Sequence, residues 1–333
     1  MRCEGTLTDT GAPSILPGPS SLTFMLSWTC NADCPHCYAR AESRPAVRRL
    51  PSFGSDRIPH RNMDVATFRE VIDRYPTVRY VDLASLGETL LYPHFHEVFD
   101  ISRAKFDAVG ATTNGELLDR FPEILDVPGC LTVSIDSLTT PRPGLTDAPW
   151  RNLREFAARP RHANRNINLN VVVSRVNVHE CSALIDAAGA AGLTSISLLR
   201  AVHLEGTTVE ANELPPDYPG MEEIISAGRA RWPALMVVDF FRYFDGGLTI
   251  GDGAPCPWPS QMLLVSTDGT ARPCCRIQGV DLGRFTADCD PFNHPDESRL
   301  RAQCAAGEWS EEFSACRVCY VRNGTGMRHT RSE

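Results

Sequence analysis

The chain is 333 residues long and carries 33 Lys+Arg against 41 Asp+Glu, a formal net charge of −8. Hydrophobic residues at 42% and charged residues at 22% exclude wholesale disorder, and the acidic balance argues against a protein that coats nucleic acid or anionic lipid. No apolar run approaches a membrane span and the first residues lack a secretory apolar stretch, so a cytoplasmic protein without nucleic-acid or membrane partners is expected.

Residues 1–20, with Gly11-Ala12-Pro13 and Pro17-Gly18-Pro19, read as a flexible lead-in. A strand is predicted over 21–28, ending directly before Cys30. The next element is a helix over 64–75, with Asp64 as N-cap and Val65, Phe68, Val71 and Ile72 on one face. Further strands are predicted at 80–85, 108–112, 131–135, 167–173 and 195–199, and helices at 95–104, 117–125, 150–158 and 180–190. Short apolar strands alternating with helices are the signature of βαβ units around a parallel sheet. Six such units predict an α/β fold, an open partial (β/α)6 TIM-like barrel over residues 21–215; eight would close the barrel. A Pro-rich linker and a helix (216–234) follow. The short strands 236–240, 262–266 and 270–272, the last two joined by an Asp268-Gly269 turn, are assigned to a small cysteine-rich α+β domain over 235–333.

The chemistry lies in the 13 cysteines. In a reducing compartment, cysteines at short spacings are more often metal ligands than disulfide partners. Cys30, Cys34 and Cys37 form C-x3-C-x2-C after the first strand. Zinc would need a fourth ligand such as His36 or His60, whereas a 4Fe–4S cube on three thiolates keeps one iron open. A second group, Cys256, Cys274, Cys316 and Cys319, suits a fully ligated 4Fe–4S cube or a four-cysteine zinc site. Cys275, Cys289 and Cys304 lie nearby in sequence, while Cys3, Cys130 and Cys181 read as a tail residue and two small buried hydrophobes.

The segment Cys30-Asn31-Ala32-Asp33-Cys34-Pro35-His36-Cys37-Tyr38 resembles the signature loop of the radical S-adenosylmethionine (SAM) enzymes. Leu86-Gly87-Glu88 resembles the family's GGE motif, with Leu86 in place of the first glycine; Thr112-Thr113-Asn114-Gly115 and Val133-Ser134-Ile135-Asp136 fall at the matching strand ends. The resemblance implies that Cys30, Cys34 and Cys37 hold a SAM-binding 4Fe–4S cluster, and that Tyr38, Gly87, Glu88, Ser134, Ser174 and Arg175 contact SAM. Cys256-x17-Cys274, with Gly269 five positions before Cys274, followed by Cys316-x2-Cys319, is similar to the auxiliary-cluster appendage of that family. The shorter, twitch form matches better than the seven-cysteine SPASM form, since no cysteine follows Cys319.

The twitch-like form resembles that of aminoglycoside- and cyclitol-tailoring dehydrogenases and epimerases. The expected reaction is hydrogen abstraction from a carbinol carbon of a sugar or cyclitol, with the auxiliary 4Fe–4S cluster taking an electron as the alcohol becomes a ketone. An external one-electron donor, of the flavodoxin or ferredoxin class or a chemical reductant, is the expected partner. Epimerisation with Cys275 as hydrogen donor is one alternative, and modification of a ribosomal peptide is another; a non-catalytic zinc or iron–sulfur module is the reading from a different class. Arg200, His203 and Glu205, after the sixth strand, are the candidates to bind hydroxyls or take the alcohol proton.

Overall fold

The structure, a computed structural model, describes residues 15–37, 62–201, 212–215, 217–240, 256, 258–274, 280–285, 289–311, 313 and 316. Its centre is one nine-stranded sheet in the order β7-β6-β5-β4-β3-β2-β1-β8-β9. The strands are β1 (Ser21–Met25), β2 (Tyr80–Ala84), β3 (Ala108–Thr113), β4 (Gly129–Ser134), β5 (Arg165–Val173), β6 (Ser195–Arg200), β7 (Met236–Phe240), β8 (Met262–Val265) and β9 (Ala271–Arg272). From β1 to β7 every neighbour is parallel and follows in chain order, as successive βα units wound in one direction require. β7 does not meet β1. The sheet is therefore the open partial barrel expected from the sequence, one strand longer than the six counted there.

All three strand pieces assigned by sequence to the region beyond residue 235 belong to this sheet. β7 pairs with β6 from Ser195↔Met236 to Leu199↔Phe240, and β8 lies parallel to β1 from Ser21↔Met262 to Phe24↔Val265. β9 returns antiparallel on β8, as the Asp268-Gly269 turn predicts. Such pairings join residues far apart in sequence, and local patterning carries no trace of them.

The helices are α1 (Val65–Arg74), α2 (Phe95–Lys105), α3 (Ala148–Ala157), α4 (Cys181–Ala190), α5 (Met221–Arg231) and α6 (Pro295–Ala306). Asp64 caps α1, its side chain accepting from Ala66 N at 2.8 Å. Phe68, Val71 and Ile72 of α1 are buried, and Phe68 meets Phe24 of β1 with ring centroids 4.5 Å apart. Leu22, Phe24, Val81 and Leu83 are fully buried on this helical side of the sheet. Alternation then sends Thr23 and Asp82, which are register partners, to the opposite face, into the hollow of the barrel. The helix expected over 117–125 is instead two short 3-10 turns, Leu118–Arg120 and Pro122–Asp126. Pro122 supplies no N–H and cannot sit inside a continuous helix.

The C-terminal segment is bolted to α1. The Tyr75 hydroxyl donates to Asp290 Oδ1 at 2.5 Å and accepts from Phe292 N at 3.3 Å, its ring lies edge-on to Phe285 and Phe292, and Arg74 Nη2 donates to the Cys289 carbonyl at 2.8 Å. Tyr75→Phe keeps the packing and removes a hydrogen bond to a carboxylate. It is expected to lower the unfolding free energy by about 1.5 kcal/mol, measured by urea unfolding of the full chain.

Candidate functional site

Five of the motif segments lie at one rim. Cys30 follows β1, Leu86-Gly87-Glu88 follows β2, Asn114 follows β3, Asp136 follows β4 and Ser174 follows β5. These are the carboxyl ends of parallel strands, where barrel folds place their sites.

The rim is stitched together by its backbone. Gly87 N donates to Ser27 O at 2.9 Å and Glu88 N to Thr29 O at 2.8 Å, so the second landmark is hydrogen-bonded to the residues that lead into Cys30. Gly87 is required by this approach, because a Cβ there would lie 2.2 Å from the Thr29 carbonyl oxygen. Asn114 Nδ2 donates to Asn31 Oδ1 at 2.8 Å. Trp28 Nε1 donates to Thr267 Oγ1 at 3.1 Å, which ties the approach to the cysteines to the β8–β9 turn.

Glu88 sits at the centre of this arrangement with 2% exposure. Oε1 accepts from Thr113 Oγ1 at 2.6 Å and Leu90 N at 2.9 Å, and Oε2 accepts from Asn114 N at 2.7 Å. Burial pushes its carboxyl above the ordinary range, and the three donors pull it back. The resemblance makes Glu88 a SAM contact. The structure gives it a prior task, joining the ends of β2 and β3. A carboxylate offers about four acceptor positions, so one is left on Oε2.

Cys30 is exposed, Cys34 buried and Cys37 half-buried. Burial pushes the Cys34 thiol up to about 11, with Arg142 pulling down and Asp136, Cys37 and Cys30 pushing up. The three thiols thus feel one another. Among the described residues no three His, Cys, Asp or Glu side chains converge as ligands of a single ion would. As donors, three thiols at this spacing are of the type that would hold a 4Fe–4S cube by three irons and leave the fourth open.

Ser134 lines a small cavity of about 50 Å³ with Asp136, Thr140, Arg142 and Trp150. The Ser174 hydroxyl donates to Asn177 Oδ1 at 3.3 Å, and the Arg175 side chain is exposed. Arg200 departs from expectation. Placed by sequence at an open mouth, it is 3% exposed, with Nη1 donating to Glu213 Oε1 at 3.1 Å and to the Leu214 carbonyl at 2.9 Å. A guanidinium so engaged clamps the segment after β6 and cannot serve as a base. Tyr38, His60, His203, Glu205, Cys275 and Cys319 lie outside the described residues.

In the C-terminal region Cys256 is half-buried, Cys274 and Cys316 are buried, and all three pack on the hydrophobic core. Cys289 Sγ stands 3.7 Å from the Leu282 carbonyl, to which it donates. Cys304 is buried on α6, one face with Glu297, whose carboxyl is fully buried and pushed up to about 8 by burial against the pull of Arg301.

No family model and no curated protein matches this chain. Solved structures do. Streptococcus suis SuiB bound to S-adenosylmethionine is 16% identical over 93% of this chain and 72% of its own, with a TM-score of 0.64. SuiB bound to precursor peptide SuiA has the same identity and coverage at a TM-score of 0.61. AnSMEcpe with bound AdoMet and Cp18Cys peptide is 15% identical over 90% of this chain and 87% of its own, at 0.57. At these identities the likeness shows the fold.

Below the rim, Asp82 is pushed from 3.8 up to about 6 by burial alone. Its raised value means that stability is complete below the ordinary carboxylate range and is lost as pH rises from about 4 to 6. At about 1.4 kcal/mol per unit, Asp82→Asn is expected to stabilise the fold by up to about 3 kcal/mol at pH 7.5 and by nothing at pH 4, read from unfolding midpoints at the two pH values. Glu88→Gln should act in the opposite sense, costing about 2 kcal/mol at pH 7.5 because an amide N–H then faces donors.

Proposed function

We propose that the chain is a radical SAM oxidoreductase. In this reading Cys30, Cys34 and Cys37 hold a 4Fe–4S cluster with one open iron for S-adenosylmethionine, and Cys256, Cys274, Cys316 and Cys319 hold an auxiliary 4Fe–4S cluster. The observation that carries it is the placement of a C-x3-C-x2-C segment at the carboxyl rim of a parallel partial barrel, with Asn31 hydrogen-bonded to Asn114 and the residues that lead into Cys30 hydrogen-bonded to Gly87 and Glu88. The first cluster and SAM, once bound, supply a 5′-deoxyadenosyl radical able to remove hydrogen from an unactivated carbon.

The chain's own part is to hold and orient. The unused position on Glu88 Oε2 fits the ammonium of SAM, as a charge-assisted hydrogen bond. Ser134, beside its cavity, and Ser174 with Arg175 at the end of β5 offer hydroxyls and a cation to a carboxylate and a ribose. Tyr38 is assigned to the same ligand from the sequence resemblance alone. The hydrogen bond from Trp28 to Thr267 keeps the β8–β9 turn against the approach to the cysteines.

The reaction we assign is oxidation of an alcohol carbon of a sugar or cyclitol to a ketone. One hydrogen atom would leave to the 5′-deoxyadenosyl radical, the hydroxyl proton to solvent or a base, and the remaining electron to the auxiliary cluster. An external one-electron donor would supply the electron that starts SAM cleavage. A ribosomally made peptide is the second substrate class, supported by the likeness to SuiB and anSMEcpe, whose structures hold peptides at TM-scores of 0.61 and 0.57.

Anaerobic turnover with dithionite, SAM and candidate substrates of both classes tests the reading by quantifying 5′-deoxyadenosine. Replacing Cys30, Cys34 and Cys37 with Ala should reduce it to background. Replacing Cys256 and Cys274 should spare part of it while the oxidised product disappears. A product of unchanged mass carrying one solvent deuteron would replace dehydrogenation by epimerisation, and no 5′-deoxyadenosine from the unaltered chain would end the radical SAM reading.

A further inference from the structure

The loop between β4 and α3, residues 135–147, is tied down along its length. At its start Glu180 accepts from Ser137 Oγ at 2.6 Å, Leu138 N at 2.9 Å and Thr139 Oγ1 at 3.3 Å. In its middle the Arg142 guanidinium donates twice to Asp136, at 2.7 Å each, and Asp136 Oδ1 accepts from Val172 N of β5 at 2.9 Å. At its end Glu116 accepts from Thr146 Oγ1 at 2.7 Å and Thr146 N at 3.2 Å. Ordering such a loop costs conformational entropy, which these anchors offset. The result is a stiff segment with a defined shape.

The stiff segment grips the cysteine loop through its backbone. Asp33 N donates to Pro143 O at 2.5 Å. Gly144, at φ +87°, comes so close that a Cβ would stand 2.6 Å from Asn31 O, 3.3 Å from Asp33 N and 3.4 Å from Ala32 Cα. Only glycine makes this approach, at this φ, without strain. The gripped residues 31–33 carry an amide that meets a cysteine: Ala32 N donates to Cys30 Sγ at 3.4 Å. A hydrogen bond to a ligand sulfur stabilises negative charge there, and such bonds help to set the potential of an iron–sulfur cluster.

We infer that Pro143 and Gly144 are positioning residues for the iron–sulfur cluster on Cys30, Cys34 and Cys37, fixing residues 31–33 so that the Ala32 amide meets the Cys30 sulfur and favours the reduced cluster. The inference rests on the cluster assignment above. Reduction adds one electron, from a flavodoxin- or ferredoxin-class donor or dithionite, to a thiolate-ligated cube that is already anionic. An N–H held on a ligand sulfur favours that state. When the grip is lost, residues 31–33 drift, the hydrogen bond lengthens and the potential falls.

The test is an EPR-monitored redox titration of the anaerobically reconstituted full chain, with iron and sulfide counted per chain, on the unaltered protein, Gly144→Ala, Gly192→Ala and Glu180→Ala. The chain with Cys30, Cys34 and Cys37 replaced by Ala supplies the spectrum of any other cluster for subtraction. Gly192, at φ +67°, is the control: alanine strains the backbone there too, but its Cβ would meet nothing within 4 Å. At a fixed potential Gly144→Ala should lower the reduced-to-oxidised ratio about tenfold, which is about 59 mV for a one-electron couple, while Gly192→Ala stays within about twofold of the unaltered chain. Glu180→Ala loosens the start of the loop without adding an atom near the cysteines, and should lower the ratio about threefold. A ratio for Gly144→Ala that matches Gly192→Ala overturns the inference. Where Gly144→Ala does not fold or does not hold iron, an unchanged ratio in Glu180→Ala overturns it. Absence of a SAM-responsive cluster in the unaltered chain would instead defeat the parent assignment.

Discussion

A carboxylate with 2% exposure is held at the carboxyl ends of β2 and β3 because three donors meet it there. Two come from the strand end of β3 and one from the turn that Glu88 itself begins. Buried charge without such donors is costly enough to unfold a domain. With them, Glu88 fixes the spacing of two strand ends, and its own N–H holds Thr29 O, the carbonyl just before Cys30. The geometry of the cysteine loop therefore descends from one side chain in the wall of the barrel.

Much of the barrel was legible in the sequence because its strands bury one face and alternate. Leu22 and Phe24, or Val81 and Leu83, declare themselves by a period of two. The cysteine loop and Leu86-Gly87-Glu88 were legible as motifs, and the strand ends that carry them fall where expected. What stayed hidden was non-local. Nothing in Met262–Val265 says that it pairs with β1, and nothing in Pro295–Ala306 separates polar from apolar positions clearly enough to announce α6. The Asp136–Arg142 pair lies within a Pro-containing loop and has no periodicity. Arg200 reads as a loop cation until Glu213 and the Leu214 carbonyl are found around it.

The two cysteine regions are joined by rigid contacts. The β8–β9 hairpin is part of the barrel sheet, Trp28 reaches Thr267, and Tyr75 reaches Asp290. The sheet thus holds Cys274, next to the β8–β9 hairpin, on the same frame as the Cys30–Cys37 loop.

The parallel pairing of β1 with β8 also has a consequence for how the chain reaches its fold. The hydrogen bond from Ser20 to Gln261 spans 241 positions, so one flank of β1 lacks its partner until nearly four-fifths of the chain exists. Contacts of that reach must close a long loop before they stabilise anything, which slows folding. During synthesis the unpaired edge of β1, with Leu22 and Phe24 beside it, is a site for mispairing with other chains. Yield in a heterologous host should then depend on chaperone supply more than on the stability of the finished protein.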